Sequence, residues 1–364
     1  MSSSNSTPPP VSNNSFNRLI AYVANLIGAE PCEGRQIRDT FSETFKARHA
    51  TKVEDCFAVG AAGTTPSLEN VSGDWPRPWV FFYVLTAGVA LYLCLAFLLD
   101  AYQNPHLVSG MILAGSFAAP VSIVVFFMET NNLRNVSASQ VAYMFITGTM
   151  VSLAAALFLF SVTDRANLGW MGASIAGLVE EPAKVLALLV LVSNRRYRYT
   201  LNGLLFGAAV GAGFAAFESA GYAFKFGLNG IVMATAQAAQ QNGGGVQLRS
   251  FTDPMREIIL LRGVMAPLGH VAWTAMCGGM LWKVKGDKPF SWGMLTDARF
   301  LRVLGIAAAL HMVFNAEFGS LHMPLVVAQG LIAWLVIFAL LADGLKQVRQ
   351  EKAKLTQVDA LAAS

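Results

Sequence analysis

Eight apolar runs, each close to the length of a membrane-spanning helix, constrain this sequence more than any other feature. A transmembrane α-helix needs about 20 mostly apolar residues. Runs of that kind, separated by polar or Gly- and Pro-containing breaks, cover residues 79–99, 107–128, 141–162, 168–193, 201–223, 260–282, 301–319 and 323–343. The sequence therefore predicts an all-α, polytopic membrane bundle of about eight transmembrane helices.

The composition agrees with a membrane protein and excludes several other classes. Charged residues make up 13% of the chain and hydrophobic residues 54%, with a mean hydropathy of +0.49, whereas soluble domains are about 25% charged. The four cysteines show neither the paired spacing of a metal site nor that of a disulfide framework. The basic residues lie in short clusters between the apolar runs, so we expect no nucleic-acid partner.

The chain divides into three parts by the same criteria. Residues 1–78 hold no apolar run of spanning length, residues 79–343 form the predicted bundle, and residues 344–364 form a charged tail. The first 15 residues are rich in Ser, Asn and Pro and are predicted to be disordered, with no cleavable signal peptide. Apolar residues recur at helical spacing between Phe16 and Ile27, which predicts a short amphipathic helix on the membrane or on the bundle.

The distribution of Lys and Arg beside the apolar runs predicts the orientation. With the N-terminus inside, fourteen of these residues fall on the cytoplasmic side and four on the other, as the positive-inside rule requires. We therefore expect a multi-pass protein of the plasma (cytoplasmic) membrane with both termini in the cytoplasm. The Gly- and Gln-rich segment 225–259 becomes the one long external connection, and it is interpreted as a mobile linker in preference to a lid.

Four consecutive predicted spans carry ionisable residues, which are costly in hydrocarbon and therefore indicate function. Within each span they are three, four or eight residues apart, so each set shares a helical face. With a rise of about 1.5 Å per residue, Glu181, Glu218, His270 and His311 lie roughly 8–20 Å below the outer boundary. In span order, with nearby polar and aromatic residues, the candidates are Glu180, Glu181 and Lys184, then Phe214 and Glu218, then Arg262, His270 and Thr274, then His311 and Asn315.

Such a group is suited to hydrolysis. Paired carboxylates in a dry site repel each other, which leaves one of them able to take a proton from water. Lys184 can pair with the other carboxylate. The histidines and the amide can either bind a metal or donate to an oxyanion, and two histidines with one glutamate are the ligand pattern of catalytic zinc.

Small residues and a proline allow close approach at the same level. Gly203, Gly207 and Gly211 recur every four residues on the fifth span, and Pro182 follows the paired glutamates.

The ordered set Glu180-Glu181-x-x-Lys184, Phe214-x-x-x-Glu218, Arg262 before Ala266-Pro267-x-x-His270-x-x-x-Thr274, and His311-x-x-x-Asn315 resembles the PrsW family of intramembrane proteases. It is more distantly similar to the CAAX-prenyl protease and bacteriocin-processing superfamily. The resemblance covers about residues 140–320. One departure is Asn202-Gly203, where the family pattern has an acidic residue before the glycine.

The resemblance implies cleavage of membrane-anchored proteins, often anti-sigma factors, in regulated proteolysis. Glu180 or Glu181 would activate the water, Lys184 would orient the pair and Asn315 would stabilise the oxyanion. Glu218, His270 and His311 would hold a divalent metal, with zinc the first candidate, or hold the water directly. Phe214, Arg262 and Thr274 would support the site.

Other classes remain open at this stage. The His-Glu-x-x-His and Gly-x-Gly-Asp motifs of other intramembrane proteases are absent, and Ser174 in Gly172-Ala-Ser174 is interpreted as a packing residue. The alternative from a different class is a non-catalytic membrane protein that uses the polar cluster for proton-coupled transport or for binding a partner's transmembrane helix. The lack of an internal repeat weakens the transporter interpretation.

Overall fold

The computed structural model describes residues 15–30, 40–46, 51–240 and 246–362. Within these ranges the regular structure is helical, with no strand, which confirms the predicted all-α class. The predicted disorder of the N-terminus, Ser15 apart, lies outside the described residues. The α-helices are α1 (Ser15–Ile27), α2 (Thr51–Phe57), α3 (Val80–Tyr102), α4 (His106–Thr130), α5 (Ala138–Arg165), α6 (Ile175–Val192), α7 (Thr200–Gln240), α8 (Arg249–Met265), α9 (His270–Lys285), α10 (Ala298–Asn315) and α11 (His322–Ala362).

Seven segments of the described chain are long and apolar enough to cross a membrane. They are α3, α4, α5, α7, α8 together with α9, α10, and the continuous segment Gly319–Val358 on α11. The one predicted span outside these seven segments is the fourth, 168–193, which forms a short 3₁₀ segment followed by α6, a helix of 18 residues. Helix α6 is apolar enough for a span but carries three charged side chains, which are buried, and its opposite face exposes Leu178, Leu186 and Val190.

The prediction of a linker over residues 225–259 is wrong. Helix α7 continues to Gln240 and α8 begins at Arg249, so most of this segment is a helical hairpin. Residues 233–240 are mostly Ala, Gln and Met, which are good helix formers, and helix propensity outweighs the polar composition there. The predicted tail 344–364 likewise begins as a continuation of α11, which is 41 residues long.

Helix α7 lies at the centre of the bundle. Its packing against α9 positions the two helices that carry Glu218 and His270 of the predicted site. A Cβ atom on Gly203, Gly207 or Gly211 would lie 2.2–2.4 Å from a backbone carbonyl oxygen of α9. Only glycine permits so close an approach of two helices. The regular glycine spacing thus determines how deeply α9, which begins at His270, is inserted beside α7.

A buried polar group lies at the end of the bundle where α7 begins. We call it the Asp343 cluster, consisting of Asp343, Lys283, Thr200 and Gln347. The carboxylate of Asp343 accepts from Lys283 at 2.6 Å and from the hydroxyl of Thr200 at 3.2 Å. It also accepts from the backbone N–H of Glu30 at 2.8 Å. This last bond, with the burial of Ile20, Ala24 and Ile27, packs the predicted amphipathic helix α1 on the bundle.

Candidate active site

The candidate residues of the fourth predicted span lie on one buried face of α6. Glu180 is 6% exposed, Glu181 1% and Lys184 0%. Because residues three and four apart share a helical face, the ammonium of Lys184 reaches both carboxylates. Its Nζ lies 2.8 Å from Oε1 of Glu181 and 3.4 Å from Oε2 of Glu180. Two carboxylates and one cation therefore occupy the inner face of α6.

His311, close to the end of α10, faces this pair. Its Nδ1 lies 2.9 Å from Oε1 of Glu181. A carboxylate only accepts hydrogen bonds, so Nδ1 carries the hydrogen and Nε2 keeps its lone pair. That Nε2 lies 3.8 Å from Oε2 of Glu180.

His270, the first residue of α9, presents the other ring nitrogen to the same point. Its Nδ1 lies 2.8 Å from Nζ of Lys184. An ammonium only donates, so Nδ1 is the acceptor and the Nε2–H donates to Oε2 of Glu218 at 2.9 Å. The Nδ1 atom is also 3.8 Å from Oε2 of Glu180. The lone pairs of both imidazoles thus converge on one carboxylate oxygen.

Glu218 on α7 connects His270 to Arg262 on α8. The guanidinium donates to Oε2 of Glu218 at 2.5 Å and to the hydroxyl of Ser219 at 2.8 Å. It also lies 4.6 Å from the ring of Tyr222. Arg262 therefore contacts the buried group directly. We call the seven ionisable residues together the Glu180 cluster: Glu180, Glu181, Lys184, Glu218, Arg262, His270 and His311.

Arg262 and His270 meet Glu218 for a reason that the sequence pattern misses. Residues 260–282 lie within a segment able to span a membrane, but the prediction that Arg262 and His270 share a face of one helix is wrong, because α8 ends at Met265 and α9 begins only at His270. A 3₁₀ turn over Ala266–Leu268 separates them, and Gly269 has φ −116° and ψ −133°, outside the helical region. Pro267 lacks the N–H that a continuous helix needs. The two residues therefore converge across a break, and not on one face of an unbroken helix.

Aromatic rings enclose the Glu180 cluster. Phe214, a predicted supporting residue, has its ring centre 4.3 Å from Nζ of Lys184 and 5.2 Å from the ring of His270. Trp273 stacks on His311 at 4.4 Å with an interplanar angle of 22° and meets His270 edge-on at 5.1 Å. Sequence reasoning missed Trp273, since a tryptophan in an apolar run carries no charge signal.

Two predicted residues lie apart from the cluster. Thr274 is buried where α9 packs on Gly211, and its hydroxyl has no hydrogen-bond partner among the described residues. Asn315 is half-buried, and its amide donates to the backbone oxygen of Ala173 at 3.4 Å. Among the described residues no hydrogen bond joins Asn315 to the Glu180 cluster, so its predicted oxyanion role has no contact to support it.

Asn202, where the family pattern departs, also lies elsewhere. It is fully buried, and its amide donates to Oδ1 of Asn135 at 2.7 Å and to Oδ1 of Asn131 at 3.4 Å. Sixteen residues separate it from Glu218, which is about 24 Å along α7. The missing acidic residue therefore belongs to a neutral amide network and not to the Glu180 cluster.

The donor set suits a divalent metal. Ligand atoms of Glu180, His270 and His311 all lie within 4.8 Å of one another, and tetrahedral zinc would bring such atoms to about 3.3 Å. Each histidine donates its other ring N–H to a carboxylate, the usual outer arrangement of metal-bound histidines. The sequence predicts Glu218 as a ligand, but Glu218 accepts the outer N–H of His270, and Glu180 is the carboxylate grouped with the two histidines.

The charge balance also favours a cation. Three carboxylates face two cationic side chains, so with neutral imidazoles one negative charge is left over in the buried cluster. The second oxygen of Glu181, Oε2, is buried without a hydrogen-bond partner among the described residues. A small cavity of about 20 Å³ beside His270 and Arg262 is large enough for one water molecule. The group can thus accept both a cation and a water.

Comparison with known proteins gives a match to a family and none to an individual protein. No curated protein and no solved structure matches the chain. Residues 136–341, more than half of the chain, match the PrsW family of intramembrane metalloproteases. The matched range contains every residue of the Glu180 cluster, and seven described segments are able to span a membrane. We conclude that this chain belongs to the PrsW family of intramembrane proteases.

Proposed function

We propose that this protease is an endopeptidase that hydrolyses peptide bonds of membrane-anchored proteins at the Glu180 cluster. The observation that carries the proposal is the convergence of two imidazole lone pairs on Oε2 of Glu180, each at 3.8 Å. To join helices, a few neutral or paired polar contacts would be enough. A buried surplus carboxylate beside two orientated imidazoles is instead suited to binding a cation and activating water.

Glu180, His270 and His311 are the residues that would hold the divalent metal, with zinc the first candidate. When bound, such a metal acidifies a water molecule and polarises the scissile carbonyl. Lys184 competes for the same site because its ammonium contacts Nδ1 of His270 at 2.8 Å. A metal at the site would therefore free Lys184 to pair more fully with Glu181.

Glu181 is the residue that takes the proton from water. Its Oε1 is held by Lys184 at 2.8 Å and by His311 at 2.9 Å, while its Oε2 has no partner among the described residues. In the reaction the water oxygen adds to the peptide carbonyl carbon and its proton moves to the carboxylate. The C–N bond then breaks, and the same proton is given to the leaving amine.

We propose that the bundle lies with the start of α7 and the end of α11 towards the cytoplasm. The excess of Lys and Arg beside these helix ends supports this orientation. The Glu180 cluster then lies in the outer half of the bilayer. A substrate with a single membrane span, cut there, would release its external part, which is a possible first cut in regulated proteolysis.

The purified protein, reconstituted in lipid vesicles with a single-span reporter substrate, tests the activity. We expect Glu181→Gln to lower the cleavage rate by about 10³-fold. Glu257→Gln, on an exposed position of α8, is the matched control and should cleave like the wild type. Equal release of fragment by wild type and Glu181→Gln would contradict the proposal. Uptake of a solute driven by a pH gradient, without cleavage, would favour the transport alternative instead.

Elemental analysis tests the metal independently of activity. We expect about one zinc per chain in the protein purified without chelators. His311→Ala should lose the metal, whereas replacement of the exposed His106 should not. A wild-type protein that cleaves its substrate without any bound metal would overturn this part of the proposal and leave a glutamate-activated water.

A further inference from the structure

The break between α8 and α9 exposes backbone carbonyls inside the bundle, and α11 supplies their donors. The indole N–H of Trp334 donates to the carbonyl of Pro267 at 2.9 Å. The side-chain amide of Gln329 donates to the carbonyl of Leu268 at 2.8 Å. Non-helical backbone at membrane depth requires such partners, because water is not available there.

Gln329 makes a second hydrogen bond with its other amide atom. Its Oε1 accepts from the indole N–H of Trp273 at 3.1 Å. The residue is 3% exposed, and a flipped amide would place a donor against that indole N–H and an acceptor against the carbonyl of Leu268. Gly330 beside it permits this approach, since a Cβ there would lie 2.6 Å from the side chain of Leu268.

Trp273 is the residue that stacks on His311 and meets His270 edge-on. It is fully buried, as are both histidines to within a few per cent. Gln329 is therefore joined to both imidazoles through one rigid ring, and to the residue two before His270 through the carbonyl of Leu268. Among the described residues, no hydrogen bond joins a charged side chain of the Glu180 cluster to α11.

We propose that Gln329 is a positioning residue that orients His270 and His311 by holding Trp273 and the helix break. Its role in catalysis rests on the function proposed above. The orientation of the imidazoles is a separate consequence that can be measured without substrate.

Gln329→Leu removes both hydrogen bonds at similar volume. Gln347→Leu is the matched control, because Gln347 lies on the same helix and also uses both amide atoms, towards Thr200 at 2.9 and 3.0 Å. We expect Gln329→Leu to lower kcat by about 10–100-fold with KM changed less than about twofold. Gln347→Leu should leave both constants near those of the wild type, even if the two variants lose equal thermal stability.

A substrate-free measurement makes the test independent of the protease activity. Carbethoxylation of each histidine, followed by mass spectrometry, reports how often its ring becomes accessible. We expect Gln329→Leu to speed modification of His270 and His311 by about tenfold, with the exposed His106 as internal reference. Trp273→Phe keeps an aromatic ring but loses the indole N–H. Both variants remove the same hydrogen bond between Trp273 and Gln329, so their effects should be non-additive.

The outcomes separate the two proposals. If the wild type cleaves no substrate but Gln329→Leu still exposes His270 and His311, the proposed function fails and the positioning role stands. If the wild type cleaves, and Gln329→Leu matches Gln347→Leu in kcat and in histidine modification, the positioning role is overturned. Additive effects of Gln329→Leu and Trp273→Phe would overturn it as well.

Discussion

The Glu180 cluster and the Asp343 cluster are two buried polar groups in one helical bundle, and they are satisfied in different ways. In the Asp343 cluster one carboxylate meets one ammonium at 2.6 Å, and the remaining lone pairs accept from Thr200, Gln347 and the backbone of Glu30. In the Glu180 cluster three carboxylates face two cations, and Oε2 of Glu181 has no partner among the described residues.

The difference distinguishes a polar group that joins helices from the group for which we propose a chemical role. A balanced, fully hydrogen-bonded pair stabilises one arrangement of helices and has no capacity left for a ligand. Surplus charge and an unused acceptor are costly in a buried place unless a cation, a proton or water completes them. Burial and the presence of charge do not by themselves distinguish the two clusters.

The sharpest way to test this comparison is to remove the lysine from each cluster. Lys184→Met leaves two buried carboxylates uncompensated, and Lys283→Met leaves one, so each should lower stability by about 3–5 kcal/mol. Only Lys184→Met should also lower cleavage per folded molecule, by about 10³-fold. Thermal unfolding and the vesicle assay measure the two effects, and an equal loss of activity in Lys283→Met would abolish the distinction.

A smaller effect is expected at Glu218, the member of the Glu180 cluster that accepts a hydrogen bond from His270. Glu218→Gln weakens the acceptor for the Nε2–H of His270, which should lower activity or zinc affinity by about 10–100-fold. Asp100→Asn is the control, because Asp100 pairs with Arg256, the other paired arginine of α8, at 2.8 Å on the surface. Its stability should change by no more than about 1 kcal/mol, and zinc binding should not change.

The smallest effect concerns the start of α10, which carries His311. Asp297 caps this helix by accepting from the backbone N–H of Arg299 at 2.9 Å, and hydrogen bonds from Arg299 lower the pKa of Asp297 to about 2. Asp297→Ala should cost about 1 kcal/mol without changing the rate of cleavage per folded molecule.

The pH dependence of this capping effect has a definite sign. The carboxylate stabilises the fold while it is ionised, so its contribution is present above the ordinary Asp pKa of about 4. It should disappear as the pH falls towards 2. Melting temperatures of wild type and Asp297→Ala should therefore differ at pH 6 and converge in acid. Asp297→Asn, which keeps an acceptor oxygen, should lose less at pH 6; a difference independent of pH would exclude the carboxylate as its source.

Much of the fold followed from local patterns. Apolar run length predicted the helices because a helix in lipid must be long and apolar, and the glycine spacing on α7 predicted its close contact with another helix. The C-terminal end of α7 was predicted wrongly, and the break before His270 was not predicted. Helix propensity extended α7 to Gln240, whereas Pro267 and Gly269 interrupted a run that hydropathy treats as uniform.

The site was predictable to the extent that charge is rare in this chain. Ionisable residues in apolar runs are conspicuous, so the members of the Glu180 cluster could be named individually. Gln329 and Trp273 could not be, because an amide and an indole in an apolar run have no comparable cost. Asn315 lies four residues after His311, at the last position of α10, but its amide contacts the backbone oxygen of Ala173 and not the Glu180 cluster.

By itself the sequence determined the class of protein, the family and the set of ionisable residues, because hydropathy, motif order and charge are properties of the chain read in one dimension. The tertiary structure decided which atoms meet. That Glu180 faces both histidine lone pairs, while Glu181 and Glu218 bind their opposite nitrogens, depends on the rotation and depth of α6, α7, α9 and α10. Those are set by close packing at the α7 glycines and by the break before His270, which act across helices far apart in sequence.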